Sequence, residues 1–140
     1  MNLRDAIHAA IDALPGDAGA VSVDVDGQRA EVDVVDHDRL GVRIGGVRIT
    51  HDAPRDVRAE AERLAGERGL PDALTPTEID ARLGGAILRS EPENREFTEV
   101  ELRPDTTTLR RWRAVPGAAR EPVDLELSRK QLGRLIDSLG

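Results

Sequence analysis

The chain has 140 residues, no cysteine and a formal net charge of -7 at pH 7. This length suits one domain that folds without disulfides, and the missing cysteines exclude thiol chemistry and cysteine-bound zinc. The negative charge argues against a general nucleic-acid binder, whose affinity rests on excess positive charge. The sequence has neither a signal-peptide pattern nor about 18 consecutive apolar residues, so we expect a cytoplasmic protein with no membrane or nucleic-acid partner.

Apolar periodicity and turn residues divide the chain into helices and strands within one domain, 1–140. The predicted helices span 2–14, 54–68, 76–83 and 129–139, the third being short and the last opened by a capping box of Ser128 and Gln131. The predicted strands span 21–26, 29–35, 39–49, 96–102, 107–113 and 122–127.

The segment 21–44 predicts a three-stranded antiparallel meander, because apolar residues alternate with polar ones along it. We place a two-residue turn at Gly27-Gln28, which sets Val21 opposite Val34. One face of the meander is then wholly apolar, and the other is polar and rich in acid.

A second reversal is predicted at His37, and it sets Val34 opposite Leu40. The phase of the alternation changes after this strand, at Gly45-Gly46. That change fits either a tight hairpin that starts a fourth strand or a bulge that redirects the third.

Two helices are predicted between the meander and the next strand. The first, 54–68, stops at Gly69. The second, 76–83, follows from a capping box at 75–78 with proline at its first helical position. The stretch 74–84 also looks like the opening helix of many helix-turn-helix regulators, so a regulator is one alternative function.

The C-terminal half begins with a predicted hairpin whose symmetric register sets Phe97 opposite Trp112 and Glu99 opposite Arg110. Alternation places Arg110 and Trp112 on one face and Arg111 on the other. The candidate partner-binding or anchor residues are those that combine aromatic and basic character in this hairpin. They are Phe97, Trp112, Arg110 and Arg111.

The other polar clusters predict no catalytic, cofactor-binding or metal site. His37 stands between two aspartates and His51 precedes Asp52, which indicates turn and cap residues rather than ligands. The acids of the first hairpin point outward in parallel, as a solvated face does, and do not converge as calcium ligands would. They are Asp24, Asp26, Glu31 and Asp33. We expect no enzyme, with a small-ligand binder or minor enzyme that uses His37 or His51 in a sheet–helix cavity as an alternative.

Together these elements predict an α+β fold with two layers. The antiparallel sheet consists of the three-stranded meander and a C-terminal two- or three-stranded half, and amphipathic helices cover one of its faces. This element order in a small acidic chain resembles the type III secretion chaperones and their secretion-chaperone-like relatives. The resemblance implies a homodimer that holds a protein client in a non-globular form along apolar grooves. It carries over no cofactor and no functional residue.

Overall fold

The structure is a computed structural model that describes residues 1–80 and 84–140. The predicted α+β class is confirmed, and the described residues form three helices and nine strands. They are α1 (Leu3–Asp12), β1 (Gly19–Val25), β2 (Gln28–His37), β3 (Gly41–Thr50), α2 (Val57–Ala65), β4 (Leu74–Asp80), β5 (Gly85–Ser90), β6 (Glu96–Leu102), β7 (Thr106–Arg113), β8 (Glu121–Val123), β9 (Leu125–Ser128) and α3 (Arg129–Leu139). Among these helices, none has both the length and the apolar character needed to cross a membrane.

The described strands belong to one antiparallel sheet with the order β1-β2-β3-β7-β6-β5-β4. The central strands β3 and β7 pair only over 47–50 and 106–109. Beyond that point they diverge, and the other half of β3 pairs with β9 while the far end of β7 pairs with β8. The predicted strand 122–127 is therefore two short strands on either side of Asp124, because the chain crosses there from β7 to β3.

One face of the sheet holds the core. A row of buried apolar residues crosses the strands in register: Val32, Val47, Leu109, Val100 and Leu88. α1 and α3 contact each other and pack against β1, β2, β3 and β9, whereas α2 packs against β4, β5 and β6. The residues between the buried ones form the opposite face, called the outer face here, which carries Arg48 and Glu101 exposed to solvent.

The first turn lies one residue earlier than predicted. Its loop is Asp26-Gly27, with φ angles of 51° and 83°, which is a type I′ turn that Asp-Gly favours because glycine takes a positive φ at no steric cost. Val21 therefore lies opposite Val32 and not Val34. The predicted register was wrong by two residues, so each side chain still points to its predicted face.

The second turn also lies elsewhere than predicted. His37 is the last residue of β2, opposite Val42, and is not the centre of the turn. The carboxylate of Asp38 accepts hydrogen bonds from the backbone N–H groups of Leu40 and Gly41, each at 2.8 Å, and so fixes the reversal after β2. Leu40 stands at this turn with 79% of its surface exposed, outside the core.

Gly45-Gly46 is a bulge and not a hairpin, because β3 runs through both residues. Val34 pairs with Ile44 and not, as predicted, with Leu40, and Gly45 is left without a partner residue. Val35 on β2 is likewise left without a partner residue, so the two irregularities compensate and the strands pair from Val42 to Thr50.

The predicted short helix 76–83 is wrong over its described part, which belongs to the strand β4. This strand pairs with β5, a segment that the sequence left unclassified. The sheet pairing outweighs the local capping-box pattern, and Pro76 is tolerated because β4 is an outermost strand. Residues 81–83 lie outside the described residues. The helix-turn-helix alternative thereby loses the helix on which it rested.

The remaining predicted helices are present, although α1 spans Leu3–Asp12 rather than 2–14, and α2 is shorter at both ends than expected. It begins after Asp56, whose carboxylate accepts the backbone N–H three residues on at 3.0 Å, and it ends before Gly66 rather than at Gly69. α3 has its predicted bounds, and its capping box of Ser128 and Gln131 is confirmed.

Candidate functional site

An arginine–aromatic patch lies on the outer face of β5, β6 and β7. Its residues come from these three strands and from the loop before β8: Arg89, Phe97, Glu99, Arg110, Trp112 and Arg120. The predicted hairpin register is confirmed, since Phe97 lies opposite Trp112 and Glu99 opposite Arg110. Arg89 lies opposite Glu99 on its other side, so the acid stands between two arginines in register.

Glu99 is the centre of the patch and only 6% of its surface is exposed. Its carboxylate accepts hydrogen bonds from both terminal nitrogens of Arg120, at 2.7 and 2.9 Å, and from Nε of Arg89 at 2.7 Å. Burial disfavours the charged carboxylate, but these hydrogen bonds and the two positive charges outweigh it and lower the pKa of Glu99. An ionised Glu99 therefore holds both guanidinium groups in fixed positions.

Two guanidinium groups lie over the Trp112 ring. The Arg120 guanidinium is 3.9 Å from the ring centroid and that of Arg110 is 5.3 Å away, both within the range of cation–π attraction. Because Arg120 is also hydrogen-bonded to Glu99, two contacts fix its position: the Glu99 carboxylate and the Trp112 ring. The ring face beneath Arg120 is thus covered by protein.

Arg110 has fewer polar partners among the described residues than the other two arginines of the patch. Among the described residues it makes no ion pair, and its Nε is buried without a hydrogen-bond partner. Its side chain lies beside Gly46, where an added Cβ would come within 3.2 Å of the Arg110 Cγ and 3.1 Å of the Leu109 carbonyl oxygen. A surface cavity of about 260 Å³ adjoins it, lined in part by Asp33 and Arg48.

Arg111 does not belong to the patch. Its Nη1 donates to Asp72 at 3.2 Å and its Nε donates to Glu96 at 3.3 Å, while its Nη1 also reaches Thr98, a buried residue on the core side of β6. The structure therefore brings together Phe97, Trp112 and Arg110 from the predicted set. It places Arg111 on the opposite face, as alternation along β7 requires.

The sequence did not reveal Arg89 or Arg120 as members of the patch. Arg89 lies on β5, whose apolar run was too short to classify, and Arg120 lies in a loop, where no periodicity applies. The one available signal was Glu99, which the predicted hairpin sets opposite Arg110. A buried carboxylate requires cationic partners, but the sequence did not show that Glu99 is buried or which arginines reach it.

The histidines that were weighed as metal ligands are engaged within the protein. His37 donates from Nε2 to the Gly16 carbonyl oxygen at 2.9 Å. His51 is buried, with its Nδ1 3.3 Å from the Gln28 amide nitrogen and its Nε2 2.9 Å from the Thr107 hydroxyl. The described residues contain no group of three or more His, Asp or Glu placed to hold a metal ion.

Three of the four acidic residues of the first hairpin lie on the outer face of β1 and β2: Asp24, Glu31 and Asp33. Asp26, which was predicted with them, lies instead in the turn between these strands. Asp24 is paired with Arg29 at 3.1 Å. Glu31 lies opposite Arg48 in register and Asp33 lies opposite Gly46, and neither acid makes an ion pair among the described residues. The outer face thus has an acidic side and a side with excess arginine.

The patch combines tryptophan and arginine, the residues that are enriched at the energetic centres of protein interfaces. No family model, curated protein or solved structure matches this chain. A function for the chain therefore has to be argued from its own geometry.

Proposed function

We propose that the protein is a cytoplasmic, non-enzymatic protein-binding module, of the adaptor or secretion-chaperone kind, and that it docks a partner on the arginine–aromatic patch. The observation that carries the proposal is the fixed stacking of Arg120 on Trp112 over a buried Glu99. A surface whose side chains are held in place before binding loses little conformational entropy when a partner docks. That property, together with its composition, favours a recognition surface.

The patch geometry favours a protein over a nucleic acid. Base stacking needs an open aromatic face, and displacing Arg120 from Trp112 would strip the buried Glu99 carboxylate of two hydrogen bonds. The net charge of -7 also opposes a polyanion. A protein partner can instead pack against the guanidinium planes and the half-buried Trp112 side chain.

The charges of the patch favour a partner with a carboxylate at its centre. Arg89, Arg110 and Arg120 outnumber the single acid, Glu99, and Arg110 makes no ion pair among the described residues. A partner carboxylate would give Arg110 its first charged partner, in a site already partly shielded from water. We therefore propose an acidic segment of a folded or extended protein as the ligand.

We further propose that the protein forms a homodimer, as the resemblance of its element order to the secretion chaperones implies. Two aliphatic side chains support this proposal, since Leu40 in the β2–β3 turn is 79% exposed and Val35 near the end of β2 is 40% exposed. A second copy related by a two-fold axis would cover both. This surface is separate from the patch, so a dimer and a docked partner are compatible.

The small-ligand or enzyme alternative has less support. Both ring nitrogens of His51 face protein partners, Gln28 and Thr107, and the Nε2 of His37 is bound to a backbone carbonyl. The two nitrogens of His51 and the Nε2 of His37 are therefore occupied by protein partners and do not face a substrate. Those bonds describe structural histidines better than a general acid or base.

The test uses two charge-reversal variants of one strand, Arg110→Glu and Arg113→Glu. Both change the net charge equally, but Arg110 lies in the patch and Arg113 lies on the opposite face with only weak contacts, at 3.9 and 4.0 Å, to Glu96 and Glu121. Wild type and both variants serve as bait for proteins from the native organism, and any captured protein is then purified and its affinity measured. A partner retained by Arg113→Glu and lost with Arg110→Glu supports the proposal. Partners lost equally with both variants, or with neither, would count against it.

A further inference from the structure

β1 and β4 are the two outermost strands of the sheet, and their unpaired edges differ in how readily they could accept another strand. The edge of β4 disfavours further pairing. Pro76 has no backbone N–H to donate, and the register of β4 with β5 shifts between Pro76 and Glu78. The hydroxyl of Thr77, at that irregularity, donates to the Ile87 carbonyl oxygen at 3.0 Å. Proline and a bulge are features that keep an edge strand from pairing further.

β1 carries none of these features. Its register with β2 is unbroken from Gly19 to Val25, and it contains neither proline nor a basic residue. Because Asp26-Gly27 is a two-residue hairpin loop, the residues that flank it exchange hydrogen bonds and the pattern alternates from there. The backbone N–H and C=O groups of the intervening residues therefore point away from β2. These residues are Ala20, Ser22 and Asp24.

This outward edge is open to solvent. Ala20, Ser22 and Asp24 are all exposed, and no described strand pairs with β1 on that side. On the core side of the same strand, Val23 and Val25 are only half buried. An added strand would satisfy the outward backbone groups and complete the cover of both valines.

Charge identifies the kind of strand that fits. On the outer face, the edge presents Asp24, whose two carboxylate oxygens accept hydrogen bonds from Arg29 at 3.1 and 3.2 Å. The neighbouring strand adds Glu31 and Asp33, neither of which makes an ion pair among the described residues. A second copy would bring two acidic edges together in a chain of net charge -7, and like charges on neighbouring strands repel. A basic strand avoids this repulsion.

We propose that the free edge of β1 binds an extended basic segment of a partner protein by antiparallel or parallel strand addition. Lysine or arginine side chains at alternate positions lie on the outer face against Asp24, Glu31 and Asp33. Apolar side chains at the intervening positions pack against Val23 and Val25. This interaction does not depend on the arginine–aromatic patch, which takes a partner of opposite charge.

The probe for the test is a synthetic eight-residue peptide of alternating lysine and valine, capped at both ends and carrying a fluorophore. Binding is measured by anisotropy with wild type, with Ser22→Pro and with Ser22→Ala as the matched control. Proline at Ser22 removes an N–H that points away from β2, so the bonds within the sheet are kept. We expect Ser22→Ala to bind as wild type does and Ser22→Pro to bind about ten-fold or more weakly, since edge hydrogen bonds are lost. The amides of Ala20, Ser22 and Asp24 should exchange with solvent more slowly when the peptide is bound.

Three controls make each outcome decisive. Two further peptides carry methyl groups on backbone nitrogens, one at its lysines and the other at its valines. Each lacks one set of backbone N–H donors and keeps its charge. Only one of the two sets can face β1, so one of these peptides must fail to bind, and this test does not require Ser22→Pro to fold. Equal binding of all peptide forms would show attraction by charge alone and overturn the proposal. Slow exchange of the edge amides without peptide, with concentration-dependent self-association, would assign the edge to a second copy. Trp112→Ala, which disrupts the patch and keeps the charge beside Glu31 and Asp33, should leave peptide binding unchanged. That result separates this proposal from the patch.

Discussion

The Glu99 carboxylate and the Arg120 guanidinium are joined by two hydrogen bonds, of 2.7 and 2.9 Å, although 21 residues separate them in the chain. Their contact ties the loop before β8 to the centre of β6. The same guanidinium lies 3.9 Å from the Trp112 ring centroid. The rigidity of the arginine–aromatic patch therefore depends on this pair.

Replacement of Glu99 by glutamine should destabilise the protein by about 1–2 kcal/mol, because it weakens the hydrogen bonds to Arg120 and Arg89, and the exposure of both arginines limits the loss. The pKa of Glu99 is lowered in the folded state. Its contribution is therefore present above its unfolded pKa of about 4.3 and is lost as pH falls through the folded value. Urea unfolding of wild type and Glu99→Gln between neutral pH and pH 3 measures both effects.

Glu101→Gln is the control for this prediction. Glu101 lies on the same strand and outer face and is exposed, and among the described residues its ion pair is with Arg103 at 3.0 Å. An exposed pair of this kind contributes about 0–1 kcal/mol. If Glu101→Gln cost as much as Glu99→Gln, the central role of Glu99 would have to be abandoned.

His51 should make the folded state less stable in mild acid. Burial, followed by the nearby charge of Arg55, lowers its pKa, while Glu60 acts in the opposite direction. The unfolded chain then binds a proton near pH 6.5 that the folded chain takes up only at lower pH. Stability contributed by neutral His51 is thus complete above about pH 6.5 and is lost as pH falls toward the folded-state pKa.

The variants His51→Gln and Thr107→Val separate this effect from simple loss of a hydrogen bond. His51→Gln can still contact Thr107 but cannot titrate, so the dependence of its unfolding free energy on pH between 7 and 5 should be flatter than that of wild type. Thr107→Val removes the hydroxyl that bonds Nε2 and keeps the titrating ring, so it should lower stability and retain the slope. An equal slope in wild type and His51→Gln is incompatible with the burial described.

Gly27 should not tolerate a side chain. Its φ of 83° is unfavourable for any other residue, and a Cβ there would lie 2.7 Å from the Asp52 carboxylate. Gly27→Ala is expected to cost about 1–3 kcal/mol in chemical denaturation. Gly16→Ala serves as the control, because no atom lies within 4 Å of its added Cβ, and its effect should stay within about 0.5 kcal/mol.

Leu40 should matter for association and not for folding. Leu40→Ser removes an exposed side chain at the β2–β3 turn, so unfolding of the monomer should change by about 0.5 kcal/mol or less. Sedimentation should show wild type at twice 15.2 kDa and the variant shifted toward the monomer. Wild-type protein that sediments as a monomer at every concentration would remove the homodimer from the account.

The fold was predictable where side-chain alternation and local pairing agree. The hairpin of β6 and β7 was predicted in its true register, because Phe97 and Trp112 mark its ends and the loop between the strands is short. The first hairpin was missed by two residues because Asp26-Gly27 and Gly27-Gln28 both satisfy turn chemistry, and alternation by itself cannot distinguish a shift of two.

Other features depend on contacts that no local pattern records. The 75–78 capping box predicts a helix, yet β5 supplies a neighbouring strand and the segment becomes β4. The candidate site was half predictable for the same reason. Phe97, Trp112 and Arg110 follow from one hairpin, whereas Arg120 reaches Glu99 from a loop whose position depends on where β8 pairs.

The central claim, that a partner docks on the arginine–aromatic patch, is tested most directly by the fluorescence of Trp112, the only tryptophan in the chain. Its emission reports on the patch without a label, because Arg110 and Arg120 lie over its ring. A purified partner obtained by the differential capture is titrated into wild type, Arg110→Glu and Arg113→Glu.

We predict a saturable change in Trp112 emission for wild type. Arg110→Glu should weaken the affinity by about 30-fold, as loss of an interface hot spot does, and Arg113→Glu by about three-fold or less, as for an exposed charge outside the contact. A partner that binds without changing the emission, or that is weakened equally by both variants, would contradict the account.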